Sequence, residues 1–144
     1  MGWEVSIVEI HKKDHFDLKS AQQLLPVLKN ITKKYSEKVD ALIEELEKID
    51  HHKIEVTEKI EEDVNTEIRE WHKKMKSLGV IPKGLWIIDF DFGRGYFCWQ
   101  YPEEDILYWH GYNEGYSSRE KINDYKLLSP PTKKVGKNEF LFEV

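Results

Sequence analysis

Apolar residues in the first half of the chain recur at helical spacing. Leu18, Ala21, Leu25, Leu28, Ile31, Tyr35, Val39, Leu42, Leu46 and Ile49 follow one another in steps of three and four, and so do Ile60, Val64, Ile68, Trp71, Met75 and Leu78. Such stripes are what two helices present when they pack side by side. The pattern predicts an antiparallel helical hairpin over 18–78. At 1.5 Å per residue, its first arm, near residues 18–50, would be about 48 Å long and its second, near 56–78, about 34 Å. The difference leaves about 14 Å of the first helix unmatched, a place where apolar side chains would seek a partner. Asp17 stands where an N-cap belongs, with Phe16 before it as a hydrophobic staple, and Gly79 follows Leu78 as a left-handed C′ residue. Pro26 removes one ladder hydrogen bond, which predicts a kink near Gln22 and Gln23 or a break into two helices. His51-His52-Lys53 marks the bend between the arms.

Beyond Pro82-Lys83-Gly84 the pattern changes to short strands: Leu85 to Asp89, Tyr96 to Tyr101 and Ile106 to His110. Asp91-Phe92-Gly93-Arg94-Gly95 reads as a tight connection between the first two, so a three-strand antiparallel meander is expected. Trp3 to Ile10 and Glu139 to Glu143 read as terminal strands, the second set apart by the extended Ser129-Pro130-Pro131-Thr132. The fold class expected is α+β: one domain over 1–144, with the hairpin (18–78) packed on a small antiparallel sheet (85–110) and an extended C-terminal segment (120–144).

Composition narrows the function classes. A chain of 144 residues can bury one core. Charged residues make up 34% of it, acids and bases are interspersed, and the net charge is -5. Neutralising phosphates takes a concentrated excess of Lys and Arg, and Lys12-Lys13 and Lys133-Lys134 are too short to supply it, so nucleic acid is an unfavourable partner. The lone Cys98 cannot form an internal disulfide, which fits a reducing cytoplasm. The acid at Glu4 and the absence of a long apolar run around it argue against a signal peptide or a membrane span.

Several motifs occur in a recognisable order: Phe16-Asp17-Leu18-Lys19-Ser20-Ala21, Leu24-Leu25-Pro26, Gly79-Val80, Gly84-Leu85, Asp89-Phe90, Cys98-Trp99, Ile106, Tyr108-Trp109-His110 and Gly115-Tyr116-Ser117-Ser118-Arg119. In these the chain resembles the domain of unknown function 2203 family of prokaryotic proteins, from Phe16 to Arg119. Cys-Trp followed by Tyr-Trp-His and by Gly-aromatic-x-x-Arg is the specific part. The resemblance implies a small helix-plus-strand protein and brings no assigned activity. The chain departs from the family pattern at Asp91, where a proline is usual, at Gln100, where a basic residue is usual, and at Asn113, where an aspartate is frequent. Its hairpin before Cys98 is also short.

Candidate chemistry gathers around His110. Its imidazole with Glu103, Asp105 and Glu114 nearby would suit a divalent first-row metal ion, His110, Asp105 and Glu114 being the set favoured, and the alternative of a structural or surface histidine stays open. His110 could also act as a general acid or base, oriented by Asp89 or Asp105, with Cys98 as the one thiol available for a dyad. Cys98 reads equally as a small buried hydrophobe. Tyr108, His110, Tyr116 and Arg119 form a candidate ligand site, with the Arg119 fork clamping a small anion or, alternatively, pairing with Glu67 or Glu70. The aromatics from Trp86 to Tyr116 divide between core and surface, because alternate strand residues cannot all face one way. The function expected is a cytoplasmic binding or interaction module that forms a homo-oligomer. The alternative is a small metal-dependent or acid–base enzyme centred on His110.

Overall fold

The computed structural model describes residues 15–50 and 52–123. Two helices, α1 (Leu18–Lys48) and α2 (Ile54–Ser77), precede β1 (Ile81–Lys83), β2 (Ile87–Asp91), β3 (Tyr96–Gln100), β4 (Tyr108–His110), a 3₁₀ turn at Tyr116–Ser118 and β5 (Glu120–Lys121). The strands form one five-stranded sheet in the order β1-β2-β3-β4-β5, and every neighbouring pair is antiparallel. The fold is α+β. The terminal strands expected at Trp3–Ile10 and Glu139–Glu143 lie outside the described residues, as does His51 in the bend.

The start of α1 is fixed as its sequence requires. The Asp17 carboxylate accepts from the Ser20 N–H at 2.7 Å and the Ser20 hydroxyl accepts from the Asp17 N–H at 3.0 Å, a reciprocal capping box. Phe16 is buried edge-on against Phe90, 5.3 Å between ring centroids, so it anchors the helix entry to the sheet. Of the kink or break expected around Pro26, the break does not occur, since α1 runs through it. Pro26 and Gln22 both face solvent, where water can satisfy the carbonyl that the missing N–H leaves behind. Gly79 ends α2 with φ 86°, the left-handed conformation expected of it.

Trp71 on α2 donates its indole N–H to the Thr32 hydroxyl of α1 at 2.9 Å, and Lys38 lies 3.8 Å from Glu67. Those cross-helix pairs set the register. At 1.5 Å per residue, α1 is about 46 Å long and α2 about 36 Å. With that register, the extra length of α1 falls at the sheet end, where Ala21 and Leu25 are buried. The surplus is therefore not the free overhang that the unequal arms predicted.

β3 begins at Tyr96 as expected, whereas β2 and β4 begin later than their apolar runs. Leu85 and Trp86 belong to the β1–β2 turn, in which Gly84 has φ 42° and Trp86 φ 64°. A left-handed backbone is rare for a bulky residue. Here the Trp86 ring sits edge-on to Trp71 at 5.0 Å and its carbonyl accepts from the Tyr101 N–H at 3.0 Å. Strand alternation then sorts the side chains. Ile88, Phe90, Phe97 and Trp99 join Leu25, Leu28, Trp71 and Met75 in the core. The registers Asp89↔Cys98, Cys98↔Tyr108 and Tyr96↔His110 place Asp89, Cys98, Tyr108 and His110 on the opposite face of the sheet.

Candidate functional site

On that second face, Asp89 of β2, Cys98 of β3 and His110 of β4 converge, their ligand atoms all within 4.8 Å of one another. Asp89 and His110 come from strands that are not neighbours, and they meet because the residue between them is small. The Cys98 side chain leaves room for the imidazole to reach over β3 to the carboxylate. The glycine at 95 allows the same close approach: a Cβ there would stand 2.6 Å from the His110 carbonyl oxygen, closer than atoms tolerate.

The cluster is dry, with Asp89 1% exposed, His110 2% and Cys98 0%. His110 Nδ1 lies 2.9 Å from the Gly111 carbonyl oxygen, which can only accept, so Nδ1 carries a proton. Nε2 lies 3.2 Å from Asp89 Oδ1. Two lone pairs would repel at that distance, so one proton lies between them in a hydrogen bond. The Cys98 thiol is pushed up to about 12, first by burial and then by the charge and hydrogen bond of Asp89, with Arg119 opposing. It is a protonated donor in this state and not an activated nucleophile.

A second constellation surrounds Arg119. Its fork pairs with Glu103 through Nη1 at 3.1 Å and Nη2 at 2.6 Å, while Nη2 also donates to the Tyr116 hydroxyl at 3.1 Å. The guanidinium carbon lies 4.2 Å from the ring centroids of both Tyr108 and Tyr116, so the group is held between two aromatic faces. Burial works against its charge, but the hydrogen bonds and charge of Glu103 prevail and raise its pKa. Tyr116 in turn donates to Gln100 Oε1 at 2.6 Å, and Glu103 Oε1 accepts from the Gln100 N–H at 2.8 Å.

The residues singled out from sequence are therefore divided between two groups. Tyr108, Tyr116 and Arg119 come together, but the acid that takes the fork is Glu103, and neither Glu67 nor Glu70 does. His110 instead joins Asp89 and Cys98, the orienting carboxylate and the thiol each considered for it separately. Asp105 is exposed in the β3–β4 loop. Glu114 accepts from the Gly111 N–H at 2.9 Å and closes the turn after β4. Asp89 and Cys98 could have been found together by counting two residues outward from each end of the Asp91–Tyr96 closure, since period-two alternation puts both on one face.

No helix among the described residues is long and apolar enough to cross a membrane. Residues 14–122 match a family described as an uncharacterized conserved protein, DUF2203. Comparisons with curated proteins and with solved structures returned no match.

Proposed function

The chain belongs to the DUF2203 family of uncharacterised conserved proteins, and from that premise and its geometry we propose that it is a cytoplasmic interaction module that pairs with a second copy of itself through α2. The observation that supports this is a stripe along one flank of that helix. Glu61, Val64 and Asn65, with Ile43 and Leu46 of α1, line a shallow groove on the outer half of the hairpin. Ile68, Arg69, His72, Lys73 and Lys76 line another on the sheet-side half. The outer groove carries an acid and the inner one three bases.

Further acids and bases of the hairpin add to this polarity, although Lys48, Lys53 and Lys59 also lie in its outer part and Glu37, Glu67 and Glu70 nearer the sheet. Asp40, Glu44, Glu45, Glu47, Glu58 and Glu62 crowd its outer part, whereas Lys29, Lys33, Lys34 and Lys38 of α1 and Lys74 of α2 lie nearer the sheet. Two copies set antiparallel about Ile68 and Arg69 would bring Glu61 of each against Lys76 of the other and cover Ile43, Val64 and Ile68. That is the self-complementary patch an isologous dimer requires, with two Glu61–Lys76 pairs of opposite charge at its ends. The enzyme reading is less well supported, because His110 at 2% exposure presents no imidazole to a substrate in solvent.

Light scattering coupled to size exclusion tests the proposal at micromolar concentration. A dimer is expected, weakened in Glu61→Lys and in Lys76→Glu and restored when both substitutions are combined. A monomer at all accessible concentrations, or a dimer indifferent to both single changes, would overturn it.

A further inference from the structure

We propose that Asp89, Cys98 and His110 form a divalent metal centre of the zinc class that ties β2, β3 and β4 together on the face of the sheet away from the helices. The reasoning starts from the orientation of the imidazole. With Nδ1 committed to the Gly111 carbonyl at 2.9 Å, Nε2 is the ring nitrogen turned toward Asp89 Oδ1 at 3.2 Å. Histidines that bind metals are held in this way, with the nitrogen away from the metal donating to a carbonyl or carboxylate that fixes the tautomer. The Nε2 to Oδ1 separation matches the spacing of two ligands about 2.0 to 2.2 Å from one tetrahedral ion. Cys98 Sγ is the third donor within 4.8 Å. Asp89 can contribute one or both oxygens, so three side chains offer up to four donor atoms.

Charge balance selects a divalent ion. Without metal, the buried set is neutral overall: a protonated thiol, and a carboxylate and imidazole that share one proton. Entry of M²⁺ displaces two protons, one from Cys98 Sγ and one from the Asp89–His110 pair, leaving thiolate, carboxylate and neutral imidazole around the ion. The set is again neutral, so a dry interior that would penalise net charge accommodates the exchange. A mixed sulfur, nitrogen and oxygen donor set fits zinc or cobalt and not magnesium or calcium, which take oxygen ligands. Closed on all sides, the centre is structural, and it is independent of the α2 interface.

The test uses the full chain purified without an affinity tag and stripped of metal. Cobalt(II) titrated into this protein is expected to produce a thiolate-to-metal charge-transfer band that saturates at about one ion per chain, and zinc to raise the melting temperature. The band should be lost in Cys98→Ser and retained in Asp105→Asn and Glu114→Gln. No band and no thermal shift in the wild-type chain with excess metal would overturn the proposal, even if the Cys98 variant failed to fold. A band that survived Cys98→Ser, or vanished with Asp105 or Glu114, would overturn this ligand set.

Discussion

Replacing Arg119 with lysine keeps a positive charge near Glu103 but removes the planar fork and its seat between two tyrosine rings. The structure sets the size of the loss. Arg119 and Glu103 side chains are 13% and 25% exposed and joined by two hydrogen bonds, so their pairing lies between a surface ion pair and a buried one. One of the two charge-assisted bonds is forfeited, at about 1 kcal/mol. Two guanidinium-to-ring contacts at 4.2 Å go with it, at about 0.5 kcal/mol each near the surface. Arg119→Lys should therefore destabilise the fold by about 2 kcal/mol, or about 4 to 8 °C in melting temperature for a domain of this size. Urea denaturation followed by tryptophan fluorescence measures this directly. Combined with Glu103→Gln in a double-mutant cycle, it should give a coupling energy of about 1 kcal/mol. A coupling below about 0.3 kcal/mol would refute the assignment of Arg119 as a strut. It would return the residue to the anion-clamp reading, in which Arg119→Lys weakens ligand binding and leaves stability unchanged.

Thr32→Val leaves the buried Trp71 N–H without its 2.9 Å acceptor and should cost about 1 to 3 kcal/mol, with Trp71→Phe in the same background recovering part of the hydrogen-bond penalty; equilibrium unfolding of the three variants checks it. Asp17→Ala removes the capping box and should cost about 1 kcal/mol by the same assay. The His72 pKa is lowered, first by burial and then by the charge of Lys76. The unfolded chain therefore takes up that proton more readily, so stability falls as pH drops below the unfolded value of about 6.5. His72→Gln should flatten that part of the stability–pH curve measured by denaturant titration, and an unchanged slope would exclude His72 as its source.

The helical half was legible because its evidence is local and repetitive. The seam spacing, the cap at Asp17 and the glycine at 79 each act within a turn or two. β1 and β5 were missed for opposite reasons. Ile81–Lys83 contains Pro82, which suggests a loop but is tolerated on an edge strand. Glu120–Lys121 has no apolar residue to signal pairing. The β2 boundary slipped because Leu85 and Trp86 continue an apolar run while the backbone turns left-handed at Trp86. Of the site, the importance of His110 and Arg119 could be read, and Asp89 and Cys98 were among the partners open to His110, but the partner of Arg119 could not be read. Glu103 and Asp89 lie at sequence distances that only the β-registers translate into contact, and the acids near His110 in sequence, Asp105 and Glu114, are carried elsewhere by the loops that hold them.

The order of the sheet, in which each strand pairs with the next along the chain, has a consequence for how the molecule assembles. No strand must wait for a distant strand, so loop-closure entropy is small at every step of sheet pairing, whereas Phe16 reaches Phe90 across more than seventy residues. The helical pair precedes the sheet along the chain, yet Trp71 and Met75 find their full cover only against Ile88, Phe90 and Trp99. The helices therefore depend for the cover of their core on an aromatic ribbon that comes after them in the chain.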